Sequence, residues 1–159
     1  MKEVLHMPYT AFISYNTTPE EQVFIYRLQT LAGASDITVL LPQRNGQRLT
    51  SETKLRIDKA DGVIVFLTSN LSPHVREELA YAEAKEKLII PIYEKGIRLP
   101  SGQKKSNWIS YNPQSDTPGM VEQKVVEFLK RKKVEKENRD AIVLIGLGLG
   151  LLWLISSNK

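Results

Sequence analysis

Short apolar runs alternate with amphipathic stretches along most of this chain. The runs are rich in β-branched residues and have the length of strands that are buried on both faces of a sheet. The stretches between them carry apolar residues at spacings of three and four, which predicts helices with one buried side. Strands that alternate with helices favour an α/β fold, with a mainly parallel sheet covered on both faces. The predicted strands are residues 10–15, 37–41, 63–68, 88–93 and 108–111.

The most regular part of the pattern is a strand, a helix and a second strand at residues 62–93. Ser72 can cap this helix, and Pro73 at its first position already has a suitable φ. Glu77 and Glu78 follow within about two turns of the amino end. That end lies beside the carboxyl edge of the sheet, where open α/β folds bind their ligands. The predicted apolar stripe of the helix consists of Val75, Leu79, Ala82 and Glu86.

The start of the first helix carries a capping signal. Thr18, Pro19 and Glu21 fit a capping box, in which Thr18 caps the helix and Glu21 reaches back. Other helices are predicted from Thr50 or Ser51 to about Lys59, after a polar loop at residues 42–49, and from Met120 onward.

The C-terminal end is a separate element. Residues 141–155 contain no charged residue, proline or amide side chain. A helix of this length, roughly 22 Å, is shorter than a hydrocarbon core of about 30 Å. Ser156 can extend it and a bilayer can thin around it, so residues 141–156 are predicted to form a membrane helix. A surface-lying or partner-buried helix is the alternative.

Charge is concentrated just before this tail. Of the formal net charge of +4, residues 130–140 contribute +3 through six basic and three acidic side chains, and Lys159 contributes the rest. By the positive-inside rule, this basic segment predicts a single-pass anchor with the folded domain on the cytoplasmic side. The remainder of the chain is neutral, which argues against nucleic-acid binding, since such proteins show a basic face on the fold itself.

Composition excludes further classes. The chain has no Cys and two His. A disulfide framework, thiolate chemistry and a histidine-rich metal site are therefore excluded, and no metal site is predicted.

Four motifs follow one another along the strands and the central helix. They are FISY at residues 12–15, VIVFLTSN at 63–70, S-x-x-V-x-x-E-L at 72–79 and IIPIY at 89–93. This ordered set resembles the Toll/interleukin-1 receptor (TIR) domain, and most closely its bacterial branch. The resemblance implies a flavodoxin-like fold with a five-stranded parallel sheet. Together with the charge and hydropathy of the C-terminal part, it divides the chain into a TIR domain at residues 1–129, a basic juxtamembrane segment at 130–140 and the membrane helix at 141–156.

The resemblance also implies an activity. Many TIR domains of this branch cleave NAD+ at the nicotinamide–ribose bond, so NAD+ is expected as a substrate and no cofactor is expected. The family's catalytic glutamate lies on the helix after the third strand, before an apolar residue and an alanine. The pattern V-x-x-E-L-x-x-A places it at Glu78. The resemblance further suggests ligand-binding roles for Tyr15, Asn16, Ser72 and Arg44, the last in the loop that matches the family's BB loop.

Partners and biological setting follow from the same resemblance. Family enzymes assemble so that the BB loop of one subunit completes the pocket of the next. A homo-oligomer, formed through TIR–TIR contacts and the tail helix, is therefore expected. A membrane tail would raise the local concentration and favour this assembly. The implied setting is bacterial anti-phage defence, by depletion of NAD+ or production of a signal derived from ADP-ribose.

The chemistry can be weighed independently of the family. Nicotinamide leaves a pyridinium as a neutral molecule and needs no general acid, and a carboxylate can stabilise the oxocarbenium character of the sugar. One well-placed glutamate near the ribose is therefore sufficient. The plain alternatives are a solvated helix glutamate for Glu78, a core aromatic for Tyr15, a helix cap for Ser72 and a solvated charge for Arg44.

Three other functions occur on this fold or on related ones. A non-catalytic adaptor that self-associates through its BB loop would share every fold feature and would not need Glu78. A protein resembling nucleoside deoxyribosyltransferases would also place a glutamate near a ribose on a related sheet. A response-regulator receiver needs an acidic cluster after the first strand, and the residues there, Ser14, Tyr15 and Asn16, do not supply one.

Overall fold

The computed structural model describes residues 8–46, 49–67, 71–94, 109–112, 117 and 119–146, with side chains described as far as residue 139. Strands and helices alternate from residue 9 to residue 94, as the sequence pattern predicts, and a fifth strand and a last helix follow. Their order is β1 (Tyr9–Ser14), α1 (Pro19–Gly33), β2 (Ile37–Leu40), α2 (Ser51–Lys59), β3 (Gly62–Leu67), α3 (Pro73–Ala84), β4 (Leu88–Glu94), β5 (Ile109–Tyr111) and α4 (Met120–Gly146).

The strands form one parallel sheet in the order β2-β1-β3-β4-β5. The predicted α/β fold with a five-stranded parallel sheet is therefore confirmed. The chain moves outward from β1 to β2, then returns to β3 on the other side of β1 and continues outward. Because the direction reverses between β1 and β3, their carboxyl ends flank a topological switch point, where such sheets bind ligands.

Helices cover both faces of the sheet. α1 and α4 pack together on one face, and α2 and α3 pack together on the other. Successive side chains of each strand point to opposite faces, so the apolar runs supply both cores. The α1/α4 core includes Ile13, Ile25, Leu28, Ile64, Val125 and Leu129, and the α2/α3 core includes Phe12, Ile57, Val63, Val65, Val75 and Ala82.

Side-chain caps start the helices at the carboxyl edge of the sheet. The hydroxyl of Thr18 accepts the N–H of Glu21 at 3.3 Å, and the hydroxyl of Ser72 accepts the N–H of Val75 at 3.3 Å. Each cap satisfies one of the N–H groups that a helix start leaves unpaired, which is worth about 1 kcal/mol. The amino ends of α1 and α3, with their partial positive charge, are thereby held beside the switch point.

The buried side of α3 differs from the predicted stripe. Val75, Glu78 and Ala82 are fully buried and Leu79 is partly buried. Glu86 is exposed, so its predicted place on the stripe is wrong. The helix ends at Ala84, and Glu86 adopts a φ of 56° in the turn that leads to β4. The buried side of the helix instead includes Glu78, between Val75 and Ala82.

α4 runs without interruption from the folded domain through the basic segment to Gly146. Two lysines of that segment contact the domain: Lys133 donates to the carbonyl of Ser35 at 3.3 Å, and Lys136 pairs with Asp61 at 3.0 Å. Within the part of the chain that the structure describes, no helix is both long and apolar enough to cross a membrane. Most of the predicted membrane helix, residues 147–156, lies outside that part.

Candidate functional site

β1 ends at the switch point in a buried polar residue, Ser14. Because side chains alternate along a strand, Ser14 faces α3, on the same side as Phe12. Its hydroxyl donates a hydrogen bond of 2.6 Å to Oε1 of Glu78. The end of the first strand therefore fixes the carboxylate that the sequence singles out.

The carboxylate of Glu78 forms an ion pair with the guanidinium of Arg44, which lies in the loop between β2 and α2. Arg44 Nε donates to Oε2 at 3.1 Å and Nη2 donates to Oε1 at 2.7 Å. The Glu78 side chain is 1% exposed and that of Arg44 is 13% exposed. A buried carboxylate is costly without partners, and this two-pronged, charge-assisted contact is among the strongest that a carboxylate can make.

Arg44 is itself anchored to the residue that follows β1. Its Nη1 donates to the carbonyl oxygen of Tyr15 at 2.7 Å, and its guanidinium lies 5.4 Å from the centre of the Tyr15 ring, within cation–π range. Burial raises the pKa of the Tyr15 hydroxyl, and the nearby positive charge of Arg44 partly opposes that rise. The guanidinium of Arg44 therefore contacts both the Tyr15 ring and the carboxylate of Glu78.

Asn16 connects the end of β1 to the start of α3. Its side-chain oxygen accepts the backbone N–H of Ser72 at 3.0 Å. Ser72 caps α3, so this bond fixes the position of the helix that carries Glu78. Ser72 is the N-cap of α3, as the structural alternative for this residue predicts. Tyr15 is a half-buried aromatic residue, which partly agrees with its predicted place in the core.

Glu21 supports the same strand end from α1. Its Oε1 accepts the backbone N–H of Asn16 at 3.2 Å, and its Oε2 accepts the hydroxyl of Thr18 at 2.9 Å. The predicted capping box is thus modified, since the glutamate reaches past Thr18 to Asn16. Burial raises the pKa of the Glu21 carboxyl, and the hydrogen bonds from Thr18 and Asn16 partly counteract that rise.

The five residues predicted from the sequence form one connected cluster. Sequence reasoning missed Ser14 as a partner of Glu78 and Glu21 as the support of Asn16. Signals for both exist: Ser14 is a polar residue at the end of an apolar run, and Glu21 shares the helical spacing of Ile25, Leu28 and Ala32. The predicted residues are Tyr15, Asn16, Arg44, Ser72 and Glu78.

Glu78 lines neither of two cavities that the described residues form. A cavity of about 220 Å³ lies at the same edge of the sheet, but it is on the α1/α4 face and Glu78 does not line it. In this conformation Arg44 occupies the position in front of the carboxylate that a ligand would need.

Comparison with known proteins places the chain in a family. The sequence matches a family model described as TIR domain over residues 11–134. A comparison with curated proteins finds no match.

Solved structures share the fold at low sequence identity. The CMP N-glycosidase BcmB of Clostridium botulinum has 22% identity and a TM-score of 0.55, covering 76% of this chain and 97% of that one. A TIR domain of the RPS4–RRS1 heterodimer has 14% identity and a TM-score of 0.52, covering 82% and 98%. The TIR domains of the activated Roq1 resistosome have 20% identity and a TM-score of 0.46. That match covers 55% of this chain and 58% of the Roq1 chain. The family match extends over most of the sequence, and the chain therefore belongs to the TIR domain family.

Proposed function

We propose that this protein is an NAD+ hydrolase that cleaves the nicotinamide–ribose bond, with Glu78 as its catalytic carboxylate. The observation that carries the proposal is the position of Glu78. It is a buried carboxylate. Ser14 holds it at the topological switch point, beside the carboxyl ends of β1 and β3. Open α/β sheets bind nucleotides at such a point.

The reaction requires little acid–base chemistry from the protein. The bond between ribose C1′ and the pyridinium nitrogen breaks, and its electron pair goes to nitrogen, so nicotinamide leaves neutral. Positive charge develops on C1′ and the ring oxygen, and the carboxylate of Glu78 stabilises it across a water-poor site. Water then adds at C1′ and releases a proton, giving ADP-ribose.

Other residues of the cluster have distinct roles in this proposal. The Ser14 hydroxyl holds the carboxylate in one orientation, which reduces the reorganisation that the transition state requires. The Tyr15 ring offers a face on which a base can stack. Asn16 and Ser72 fix the start of α3 at the edge where the substrate would lie.

Arg44 holds this site closed in the isolated chain. Its two hydrogen bonds neutralise the charge of Glu78, and a neutralised carboxylate stabilises a developing cation poorly. The guanidinium must therefore leave before the reaction can proceed. Assembly of TIR domains, which would draw the Arg44 loop toward a neighbouring subunit, is the proposed trigger.

Replacing Arg44 tests this closure. We expect Arg44→Ala to raise NAD+ turnover at low protein concentration and to weaken its dependence on concentration, because the carboxylate is open without assembly. If Arg44 instead binds substrate, turnover falls at every concentration. Arg56→Ala is a matched control, because Arg56 donates to the carbonyl of Leu41 at the start of the same loop without contacting Glu78.

A membrane anchor at residues 141–156, with the domain on the cytoplasmic side, remains part of the proposal, as does a role in bacterial anti-phage defence. The basic residues ahead of the apolar segment support the anchor and its orientation. Deletion of residues 141–159 is expected to lower activity at low protein concentration, because anchoring raises the local concentration of subunits. Equal specific activity of the two forms at all concentrations would contradict that role.

The proposed activity is tested with purified full-length protein and NAD+ at high protein concentration, by measuring free nicotinamide and identifying the sugar product. We expect Glu78→Gln to lower the rate about a hundredfold or more. Glu77→Gln is the matched control, because its side chain leaves the helix about 100° away. Unchanged turnover by folded Glu78→Gln protein would reject the proposal. CMP is assayed alongside, because a structural neighbour is a CMP N-glycosidase.

A non-catalytic adaptor is the second candidate, and one observation favours it. The carboxylate of Glu78 is fully paired, as it would be in a purely structural ion pair. In that case the BB loop and the helical faces serve only self-association. The absence of nicotinamide or cytosine release at every protein concentration, from protein that still self-associates, would favour this candidate.

A further inference from the structure

A cavity of about 220 Å³ opens at the carboxyl edge of the sheet, on the face opposite Glu78. It lies between the first turns of α1 and α4, above the ends of β3 and β5. Its wall is largely apolar: Phe24 and Phe66 meet there edge to face, with ring centres 4.6 Å apart. At about 30 Å³ per water molecule, the volume corresponds to roughly seven waters, which suits a small organic molecule.

Two buried carboxylates line this apolar space. Glu21 is 8% exposed and both its oxygens accept hydrogen bonds from the β1–α1 connection. Glu122 is 3% exposed, and its Oε2 has no hydrogen-bond partner among the residues that the structure describes. Glu122 is therefore the group in the cavity that lacks the partner its burial requires.

The fold alone does not account for the position of Glu122. An acidic residue in the first turn of a helix interacts favourably with the helix dipole, but that gain is small and is available to an exposed side chain. Glu20 in the first turn of α1 is such an exposed case. Burial of an unpartnered carboxylate oxygen costs more than this gain, so Glu122 is suited to a cation that the chain itself does not supply.

We propose that this cavity binds a small organic cation, an ammonium or amidinium group on an aromatic stem. The charge would pair with the carboxylate of Glu122, and the stem would pack against Phe24 and Phe66. The terminal torsion of a glutamate is broad, so a small rotation presents the unpartnered oxygen to the cavity. The hydroxyl of Tyr111, which also lines the cavity, offers a further polar contact.

The charge balance of the lining agrees with a cationic occupant. Among the residues lining the cavity, three are acidic, namely Glu20, Glu21 and Glu122, and one is basic, namely Arg27, giving a net charge of −2. Arg27 is exposed at the rim, so its guanidinium can compete with the ligand for the carboxylates. Removing Arg27 should therefore strengthen binding of a cation.

This proposal does not depend on NAD+ cleavage. The cavity and Glu78 lie on opposite faces of the sheet, and ligand binding can be measured without any turnover. Failure of one proposal therefore leaves the other to be judged on its own experiment.

The probe pair is benzamidine and benzamide, which have nearly the same shape but differ in charge. Binding to the purified full-length protein is measured by calorimetry and by the shift in melting temperature. Benzamidine is expected to bind and to raise the melting temperature, while benzamide does neither. Equal behaviour of the two compounds, or no binding of either, would overturn the proposal.

Variants locate the site. Loss of a charge-assisted hydrogen bond is worth about 1.5–3 kcal/mol, so Glu122→Gln should weaken benzamidine binding roughly 10- to 100-fold. Glu83→Gln, which removes an exposed carboxylate of α3 that does not line the cavity, is the matched control and should change affinity by less than about threefold, whereas Arg27→Ala should increase it. Unchanged affinity in Glu122→Gln overturns the proposal. If that variant does not fold, Glu122→Asp, which withdraws the carboxylate, and Arg27→Ala decide in the same way.

Discussion

Glu78 and Glu122 are both buried at the carboxyl edge of the same sheet, on opposite faces, and their environments differ. Glu78 on α3 receives hydrogen bonds from Ser14 and from two nitrogens of Arg44. Glu122 on α4 has an oxygen with no partner and lies against an apolar cavity. The comparison teaches that burial alone does not define a site. A buried carboxylate with hydrogen-bond partners stabilises the fold and is not available to a ligand. A buried carboxylate without partners destabilises the fold and can bind a cation.

This difference separates stability from function on the two faces. On the α2/α3 face the ion pair supports the fold, and under the proposed function it must break before Glu78 can act. On the α1/α4 face the unpaired carboxylate lowers stability, and under the proposed cation binding a ligand would supply the missing contact. Substitutions of the two glutamates should therefore change the free energy of unfolding in opposite directions.

The largest effect is expected on the paired side. Glu78→Leu leaves the guanidinium of Arg44 largely buried without its counter-ion, and removal of one partner of a buried pair costs about 3–5 kcal/mol. Urea denaturation measures the loss. Leu at both positions should recover most of it, because an apolar pair of similar volume can replace a buried ion pair. A double variant as unstable as Glu78→Leu would show that the pair is not the cause.

A smaller loss is expected when only the strand-end donor is removed. Ser14→Ala deletes the 2.6 Å hydrogen bond to Glu78, and a bond to a charged group contributes about 1.5–3 kcal/mol. Thr30→Ala, which removes an exposed hydroxyl bonded to the carbonyl of Tyr26, should stay within about 0.5 kcal/mol. Equal losses in the two variants would contradict a special role for Ser14.

The unpaired side should respond with the opposite sign. Glu122→Met removes a buried carboxylate oxygen without a partner and should stabilise the protein by about 1 kcal/mol. Glu20→Met is the control: it removes an exposed first-turn charge and should cost a few tenths of a kcal/mol through the helix dipole. Destabilisation by Glu122→Met would mean that Glu122 has a partner in solution.

The smallest effect concerns pH and Glu21, which lies between the two regions. Burial raises the pKa of Glu21 in the folded protein, so above the ordinary glutamate range the folded state holds more protons than the unfolded state. Its contribution to stability is full below the unfolded pKa and is lost as pH rises through the folded pKa. Glu21→Gln should flatten this decline in denaturation experiments across mildly acidic pH. An unchanged slope would contradict the raised pKa.

Most of the fold could be predicted from the sequence because its signals, helix caps and apolar runs, involve residues that are close together in the chain. The caps Thr18 and Ser72 bond to groups three residues away, and the apolar runs report burial on both faces directly. The α3 stripe was partly mispredicted because a glutamate at a buried helical position has the same appearance in sequence as a solvated one. Only the contacts of Glu78 distinguish the two cases.

The contacts that pair Glu78 join residues that are far apart in the sequence. Arg44 and Glu78 are 34 residues apart, and Ser14 and Glu78 are 64 apart. Nothing in the residues around Arg44 indicates whether its guanidinium is solvated, contacts a neighbouring subunit or pairs with a carboxylate. Family resemblance identified the residues of the cluster, but the ion pair between them depends on how the β2–α2 loop returns across the sheet edge.

The most direct test of the central claim is a single-turnover measurement with full-length protein in excess over NAD+. Excess protein favours assembly, and the signal is the fraction of NAD+ converted to free nicotinamide. The wild-type protein is predicted to release nicotinamide stoichiometrically with NAD+, and Glu78→Gln to release almost none on the same timescale. Equal release by the two proteins, both shown to be folded, would contradict the account.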